Sequence, residues 1–520
     1  MRATPHWLGQ LCTWWHIGGS SAVLIVPPLG YEYFSSHASL KRLADLLAAR
    51  GFTVVRFDFH GNGDSAGLAW DPDRLGAWRS SVRDVLAAMR EAGCTQIHAV
   101  GLRFGATMAL ELTGLASVVA WAPVVSGKRW MRELKMLAIP TKRPGFVFAG
   151  TVFSDATVAA MATVNVEATP TKRVMLLSHH SQPLDVVRDK LVACGAEVTL
   201  EEAAGTELVL DVPAEDAVVP IPVIERIAAW IGPAVPGAIA LSPVRRVTMP
   251  WRSGVIDESF VDVAGMPGIA GAGANDKPTV VFVNSGSEVH VGPGRAWVEY
   301  SRDLNLAGYP TLRVDWPGWG ENCDDQPGRP YDEHCLIATN RLAHELHTSG
   351  RRVVLAGLCS GAWVAMQAGF SGDVEQIIAI NGHFYWRRDR HPVLSRLADM
   401  RVYRTEERLR EERLERLGVW SILDFFRAGK PQVTKWMERL TKRHVGTLLL
   451  YSKGDDGIDY LRTRVARSLN RQLSRGVVKL VELDDLDHSM YHEWRRNAVV
   501  SVMIDFLEGS LTHTLQRVEA

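Results

Sequence analysis

Short apolar runs recur along the second half of the chain and predict strands that are buried on both faces of a sheet. The runs are rich in Val, Ile and Leu with little alternation, as is typical of parallel strands; they cover residues 279–283, 311–315, 352–356, 376–380, 446–451 and 477–483. Amphipathic stretches lie between them, such as residues 296–308, which end in Gly as many helices do. This alternation predicts a doubly wound α/β sheet. We expect the Gly-rich residues 266–278 to form a loop before the first central strand.

The first half of the chain repeats this pattern. Residues 51–65 read GFTVVRFDFHGNGDS and residues 308–322 read GYPTLRVDWPGWGEN, and residues 22–32 match residues 279–289 in the same register. Collinear matches at one offset indicate an internal duplication, on a scale much longer than a solenoid repeat. Together with a linker rich in Pro, Gly and Ala at 232–243, the duplication predicts two tandem domains, residues 1–235 and 236–520, each with a mostly parallel doubly wound sheet.

Composition excludes several classes of protein. A chain of 520 residues is too long for one hydrophobic core. The apolar fraction of 47% and charged fraction of 22% are ordinary, and a net charge of zero shows none of the basic excess of nucleic-acid-binding proteins. Since no run of eighteen apolar residues occurs, we expect no membrane span. The six cysteines form neither a CxxC pair nor a Cys/His metal spacing, so we expect no disulfide framework, no metal and a cytoplasmic protein.

Two five-residue stretches with one Gly spacing carry the candidate chemistry. Residues 357–361 read GLCSG and residues 101–105 read GLRFG, each between an apolar strand and a helix-like stretch. In such a strand–turn–helix elbow the flanking glycines remove Cβ atoms that would clash, and the central side chain projects at the positive end of the helix. Because the glycines flank Cys359 symmetrically, we predict Cys359, rather than Ser360, as a nucleophile. The alternative is that Cys359 is a small buried hydrophobic residue.

A thiol nucleophile needs a base, and the base needs an orienting acid. Asp455 follows the fifth predicted strand and is the predicted acid, because residues 452–458 have the small-x-x-Asp-x-x-Ile spacing that is typical of an acid loop; Asp456 is the second candidate. His488 lies in the loop after the last predicted strand and is the predicted base, whereas His492 is expected at the start of the last helix. A single histidine is more often structural, but here it is one of three residues in the expected order.

With these residues in place, the chain resembles tandem α/β-hydrolase proteins. The second half is similar to the serine-aminopeptidase-like or Xaa-hydrolase-like branch, with its elbow, acid loop and His loop matching at Cys359, Asp455 and His488. Cysteine in place of serine resembles dienelactone hydrolases and polyhydroxyalkanoate synthases. The first half resembles the same superfamily, in particular the hydrolases found in bacterial exosortase and biosynthetic clusters. The resemblance is specific for fold and class of chemistry and weak for substrate.

The oxyanion hole of such an enzyme is built from backbone N–H groups. One should belong to Ser360, directly after the nucleophile. The other should come from the loop after the first central strand, at Gly286 or Ser287, where Gly permits a close backbone approach. The alternative for this loop is a simple turn.

The first half lacks two of the three roles. Arg103 takes the nucleophile position and stays protonated, so it cannot attack a carbonyl. Between residues 181 and 232 there is no histidine, whereas His179 and His180 stand at the acid position. We therefore predict a degenerate, non-catalytic domain. It either supports packing or binds an anion, such as a phosphate or carboxylate, through Arg103 at a helix N-terminus.

An insertion at about 384–443 is expected to form a helical lid, since a cap occupies this position in the fold that the chain resembles. It holds 16 Lys+Arg against 9 Asp+Glu. The charges follow an i,i+4 spacing and fit a solvated helical surface. The alternative is a docking face for an acyl carrier protein or a coenzyme A thioester.

These residues predict cysteine-dependent acyl transfer on an ester, thioester or lactone through an acyl-cysteine, by an acyltransferase, cyclase or thioesterase of a biosynthetic pathway that needs no cofactor. The substrate would be a small acyl compound, with no nucleic-acid partner. One alternative is a plain ester or lactone hydrolase. Another is a non-catalytic scaffold in a biosynthetic assembly, and a third, weaker one is a redox-sensing thiol.

Overall fold

The computed structural model describes residues 3–180, 182–286, 288–323, 328, 330–384 and 432–511. Among these described residues, the first half contains eleven strands. They are β1 (Thr4–Leu8), β2 (Leu11–His16), β3 (Ser21–Val26), β4 (Thr53–Phe57), β5 (Gln96–Leu102), β6 (Ser117–Trp121), β7 (Ile139–Pro140), β8 (Gly145–Phe148), β9 (Thr151–Ser154), β10 (Arg173–Ser178) and β11 (Glu197–Glu202). All of them except β7, β8 and β9, which form a small separate sheet, pair into one sheet of order β1-β2-β4-β3-β5-β6-β10-β11.

The second half builds a nine-stranded sheet. Its strands are β12 (Arg246–Trp251), β13 (Gly254–Val263), β14 (Met266–Gly271), β15 (Thr279–Phe282), β16 (Thr311–Val314), β17 (Val353–Leu358), β18 (Gln376–Ile380), β19 (Gly446–Ser452) and β20 (Val478–Leu483). Their order is β12-β13-β14-β16-β15-β17-β18-β19-β20. The six strands predicted from apolar runs are all present within one or two residues of their expected bounds.

Helices connect the strands of both sheets. In the first half they are α1 (Tyr31–Ala49), α2 (Arg74–Glu91), α3 (Phe104–Leu110), α4 (Gly127–Met136), α5 (Asp155–Met161), α6 (Asp185–Ala193), α7 (Glu207–Leu210) and α8 (Ile221–Ile231). In the second half they are α9 (Ala296–Leu306), α10 (Glu333–Thr348), α11 (Ser360–Ala368), α12 (Gln432–Lys442), α13 (Asp456–Arg464), α14 (Ala466–Ser474) and α15 (Arg496–Leu507). None of these described helices combines the length and the apolar composition that a bilayer crossing requires.

The two sheets follow one plan. β4-β3-β5-β6-β10-β11 and β16-β15-β17-β18-β19-β20 are runs of parallel pairs, and β2 and β14 pair antiparallel with the first strand of each run. The α/β fold of mixed sheets and helices is thus as expected. The sheets share no strand among the described residues, while the domain boundary near residue 235 stays a prediction.

The expectation of a loop over residues 266–278 was wrong for its first part. Met266–Gly271 is strand β14, which lies between β13 and β16. A Cβ on Gly268 would meet the carbonyl oxygen of Arg313 at 2.2 Å. The glycine therefore marks a close approach between strands rather than a turn.

The predicted lid falls largely outside the described residues, which stop at Phe384 and resume at residue 432. Its last part is the described helix α12. Val433, Met437 and Leu440 of this helix are buried in the core of the second sheet.

Charged side chains at equivalent positions of the repeat form ion pairs with residues of the opposite half. Arg56 on β4 forms a two-pronged ion pair with Glu321, at 2.8 and 2.6 Å. Reciprocally, Arg313 on β16 contacts Asp64, and it also binds Glu258 at 2.7 Å. Arg56 corresponds to Arg313, and Asp64 to Glu321, at one offset in the sequence. Such an exchange of equivalent contacts is what twofold, isologous packing produces.

His290 links the halves at the centre of this interface. Its Nε2 lies 2.7 Å from Oδ2 of Asp64, and its Nδ1 lies 2.6 Å from Oδ2 of Asp315. All three side chains are buried. Burial alone would lower the pKa of His290, but the two carboxylates raise it well above its ordinary value. A charged imidazolium therefore joins the two carboxylates.

An apolar contact continues the interface. Trp7 of β1 stacks on Phe260 of β13 with ring centroids 4.8 Å apart, and Trp14 meets the same ring edge-on. These residues share one buried cluster with Trp251 and Cys12. The antiparallel strands that precede each parallel run therefore pack the two halves together.

Candidate active site

Two residues adopt the same strained backbone conformation at the end of equivalent strands. Cys359 has φ 51° and ψ −109°, and Arg103 has φ 55° and ψ −119°. Each is the N-cap residue of a helix, α11 or α3, directly after the strand. Such a conformation costs on the order of 1–3 kcal/mol for a residue other than Gly and marks functional turns. The duplicated GxxxG-spaced stretch is thus built twice as an elbow.

The glycines beside Cys359 are needed for this turn. A Cβ on Gly357 would lie 2.4 Å from the backbone carbon of Gly361, and a Cβ on Gly361 would lie 2.6 Å from the carbonyl oxygen of Asn284. Both contacts are with backbone and cannot relax without moving the elbow. The two glycines therefore hold Cys359 at the carboxyl edge of the sheet.

His488 and Asp455 meet beside Cys359. The Nδ1 of His488 lies 2.6 Å from Oδ2 of Asp455. Because Asp455 holds this nitrogen, the other ring nitrogen, Nε2, is the one left for the thiol. A nitrogen of His488 and the Sγ of Cys359 lie within 4.8 Å of each other. The three residues come from loops after β17, β19 and β20, as the sequence predicted for each.

The second candidates for acid and base lie elsewhere. Asp456 is exposed, whereas Asp455 is buried. His492 has its Nδ1 3.1 Å from the backbone oxygen of Asp485. In the described residues, Asp455 and His488 are therefore the pair that the structure brings to Cys359.

Electrostatics favour an ion pair between Cys359 and His488. Burial alone would raise the pKa of the Cys359 thiol, but its hydrogen bond with His488 and the neighbouring imidazoles of His383 and His488 lower that pKa to about 6. Burial likewise opposes the charging of His488, yet its hydrogen bonds with Asp455 and Cys359 raise its pKa to about 10. At neutral pH the shared proton therefore resides on His488. The pKa of Asp455 is lowered, against the effect of burial, by His383 and His488.

One buried amide ties the acid loop to the histidine loop. Asn381, at the end of β18, receives a hydrogen bond on its Oδ1 from the Ser452 backbone N–H at 2.7 Å. Its Nδ2 donates to Ser452 Oγ at 2.9 Å and to the backbone oxygen of His488 at 2.8 Å. The first half has Ala122 after its corresponding strand, β6, with a similar positive φ. Asn381 is therefore a positioning residue that the sequence analysis missed.

The site holds two further side chains that the sequence analysis missed. His383 is buried, lies against His488 with ring centroids 4.5 Å apart and planes tilted by 33°, and has its Nε2 3.4 Å from Oδ1 of Asp455. The hydroxyl of Tyr331 lies 3.5 Å from the Sγ of Cys359. The stretch Asn381–His383 follows a predicted strand directly, and this position was the one signal in the sequence for a site residue there.

The structure describes two of the three residues predicted for the oxyanion hole. Gly286 and Ser360 lie together, because the Gly286 N–H donates to Ser360 Oγ at 2.9 Å. The Nε1–H of Trp319 donates a hydrogen bond to the carbonyl oxygen of Gly286 at 2.9 Å. Ser287 lies outside the described residues.

In the first half the elbow side chain is already paired. Arg103 Nε donates to Glu32 Oε1 at 2.7 Å, so a carboxylate of the chain itself neutralises this cation. His179 and His180 both contact one oxygen of Asp211, at 3.0 and 2.8 Å. The anion-binding role of Arg103 stays a prediction.

Comparison with known proteins finds a similarity for part of the chain. Residues 280–501 match the model of the alpha/beta hydrolase family, and the matched segment contains Cys359, Asp455 and His488. Similar solved structures include TT1662 from Thermus thermophilus, at 16% identity over 49% of this chain and 98% of that chain with a TM-score of 0.33. Dienelactone hydrolase from Anabaena variabilis is 14% identical over 49% of this chain and 98% of that chain, with a TM-score of 0.33. No curated protein matches the sequence.

Proposed function

We propose that residues 236–520 form an enzyme that transfers acyl groups through a thioester on Cys359, with His488 as the base and Asp455 as the orienting acid. The donor would be an ester, thioester or lactone. The observation that carries the proposal is the Asp455–His488 hydrogen bond of 2.6 Å beside a cysteine on a strained elbow. Nucleophile, base and orienting group in this order are the arrangement that covalent acyl transfer uses.

The first half-reaction starts from the Cys359 thiolate and the His488 imidazolium. The thiolate sulfur bonds to the acyl carbon, and the carbonyl π electrons move to oxygen. When the carbonyl re-forms, the bond to the leaving group breaks, and His488 gives its proton to that alkoxide or thiolate. Asp455 supports the imidazolium throughout by accepting from Nδ1.

The second half-reaction reverses these roles. Neutral His488 removes the proton of an acceptor, which attacks the thioester, and Cys359 leaves as a thiolate. Because a thioester reacts with alcohols, amines and thiols as well as with water, transfer or cyclisation competes with hydrolysis. A plain ester, thioester or lactone hydrolase is the alternative, and product analysis with and without an added amine or alcohol separates the two.

The backbone N–H groups of Ser360 and Gly286 would stabilise the oxyanion. Since Gly286 donates to Ser360 Oγ at 2.9 Å, the Ser360 hydroxyl must turn away when the carbonyl oxygen arrives. Ser287 remains a candidate for the same role.

The partner of the enzyme and the role of the first half are further parts of the proposal. The basic excess at 384–443 would favour an acyl carrier protein or a coenzyme A thioester as donor. Residues 1–235, with Arg103 at the elbow, would be non-catalytic and would support the second half through the reciprocal ion pairs. A wholly non-catalytic scaffold in a biosynthetic assembly is the alternative from another class.

Intact-protein mass spectrometry tests the proposal. The full chain is incubated with a panel of acyl thioesters and p-nitrophenyl esters, beside Cys359→Ala and the matched control Cys194→Ala, which removes an exposed cysteine. An acyl mass shift in wild type and in the Cys194 variant, but not in the Cys359 variant, is the expected result. Adducts that persist in the Cys359 variant would refute Cys359 as the acylated residue, and an unreactive thiol without turnover would leave the scaffold interpretation.

A further inference from the structure

Three donor atoms of the candidate active site meet in a way that acyl transfer does not require. The Sγ of Cys359 and one ring nitrogen each of His383 and His488 all lie within 4.8 Å of one another. One thiolate and two imidazoles are a ligand set that zinc uses in proteins. Acyl transfer needs only one of the two imidazoles as its base, and His383 adds a further possible ligand atom at the same place.

The imidazoles of His488 and His383 both lie beside the carboxylate of Asp455. Asp455 Oδ2 lies 2.6 Å from Nδ1 of His488, and Oδ1 lies 3.4 Å from Nε2 of His383. The Gly457 N–H in turn donates to Oδ1 at 2.8 Å and fixes the carboxyl group. Histidines that bind a metal almost always contact a carboxylate or carbonyl through their other nitrogen, which fixes the ring and strengthens the ligand.

The charge and the softness of the ligand atoms exclude calcium and magnesium. A Cys359 thiolate and the Asp455 carboxylate together neutralise a divalent cation at a site where His383 and Asp455 are buried and Cys359 and His488 are partly exposed. Calcium and magnesium prefer six or more oxygen ligands, which a sulfur and two nitrogens do not supply. Three protein ligands also leave one position of a tetrahedron open.

We propose that Cys359, His383 and His488 bind a zinc ion, and that this ion reversibly switches off the Cys359 nucleophile. The sulfur lone pair that would attack the acyl carbon is then bonded to zinc. Binding displaces the one proton that Cys359 and His488 share, and this proton passes to solvent. The inhibition rests on the proposed acyl-transfer function, whereas the binding of zinc does not.

A second cluster must be removed from the test. His179, His180 and Asp211 also hold three ligand atoms within 4.8 Å of one another, at the surface of the first half and without a thiolate. All zinc measurements therefore use full-length protein that carries His179→Ala and His180→Ala.

The first measurement is zinc binding by competition with a chromophoric chelator. One equivalent is expected, and magnesium should not compete. His383→Ala should weaken the affinity for zinc by at least about 100-fold, since loss of an outer-shell partner alone costs about 10–100-fold. The matched control is His344→Ala, an exposed histidine paired with Asp373. Cobalt gives a second readout, because a thiolate–cobalt charge-transfer band should appear and should be lost in Cys359→Ser. Circular dichroism verifies that each variant is folded.

The outcomes separate the two proposals. No zinc equivalent, or affinity unchanged by His383→Ala, overturns the metal site even if Cys359 forms acyl adducts. Zinc binding that depends on His383 and Cys359, without any acyl adduct in metal-free protein, supports the site and refutes the nucleophile. Adducts that form in metal-free protein and are suppressed by one equivalent of zinc support both. Turnover that rises with zinc would overturn the inhibitory role.

Discussion

Removal of His488 should shift the pH at which Cys359 becomes reactive. The hydrogen bond with His488 and the nearby imidazoles lower the Cys359 pKa to about 6, against the effect of burial. In His488→Ala most of this stabilisation is lost, and the pKa should return to at least the ordinary thiol value of about 8.5. At pH 6 the thiolate fraction then falls from about one half to about 0.3%.

The change in rate is smaller than the change in thiolate. A thiolate of higher pKa is more nucleophilic, and a rise of about 2.5 units increases its intrinsic rate by about 10- to 20-fold. The net loss of alkylation rate is therefore roughly tenfold at pH 6 and only about two- to threefold at pH 7. The test therefore compares the pH at which Cys359 alkylation reaches half of its maximal rate, rather than the rate at neutral pH.

The assay is alkylation by iodoacetamide between about pH 4.5 and 9.5, quantified for each cysteine peptide by mass spectrometry. Exposed Cys194 is an internal reference in every sample. His492→Ala is the matched control, since this histidine of the same loop contacts the Asp485 backbone instead. A wild-type midpoint near 8.5, or the same midpoint in wild type and His488→Ala, would refute the thiolate–imidazolium pair.

Three further outcomes follow from the same contacts. Asp455→Asn should lower the rate of Cys359 acylation by about 10²–10⁴-fold in single-turnover measurements, since the base loses the group that orients and charges it; a change below tenfold would contradict this. Asp64→Asn removes a buried carboxylate from Arg313 and His290, and it should lower the unfolding free energy measured in urea by about 3–5 kcal/mol. The control Glu375→Gln breaks the exposed pair with Arg352 and should lower the unfolding free energy by about 1 kcal/mol or less. The pKa of His290 is raised in the folded chain, so protonated His290 stabilises the fold fully below its unfolded pKa of about 6.5, and this stabilisation is lost as pH rises. The difference in unfolding free energy between wild type and Asp64→Asn should therefore shrink from about pH 6 to pH 9. A difference that grows with pH would contradict this.

Much of the fold was readable because its signals are local. A strand buried on both faces of a sheet must be mostly apolar, so the runs at 352–356 and 446–451 are visible without knowledge of their neighbours. The elbow is readable because its Gly spacing lies within five residues, although Gly361 is also demanded by the backbone of Asn284, far along the chain. Gly268 shows the limit: its close partner, Arg313, is far along the chain, and the sequence alone suggested a loop.

The residues that the sequence analysis missed act through distant partners. Asn381 joins Ser452 and the His488 backbone, and His383 reaches Asp455. Neither residue belongs to a short motif, and the separation between the contacting residues along the chain follows no recognisable pattern. Asp64 is similar, since its role depends on Arg313 and His290 of the other half. The sequence alignment shows Asp64 and Glu321 as a matched pair, but not that they cross the interface.

By itself, the sequence determined the alternation of strands and helices, the duplication, the two elbows and the candidates Cys359, Asp455 and His488, because each depends on residues that are neighbours along the chain or in fixed chain order. Only the tertiary structure decided that Asp455 rather than Asp456 faces His488, that His383 stands beside Cys359, and that Arg56 and Arg313 exchange partners between the halves. Hydrogen bonds, ion pairs and pKa shifts depend on distances of a few ångströms, and those distances are set by how parallel strands far apart in sequence bring their carboxyl ends to one edge.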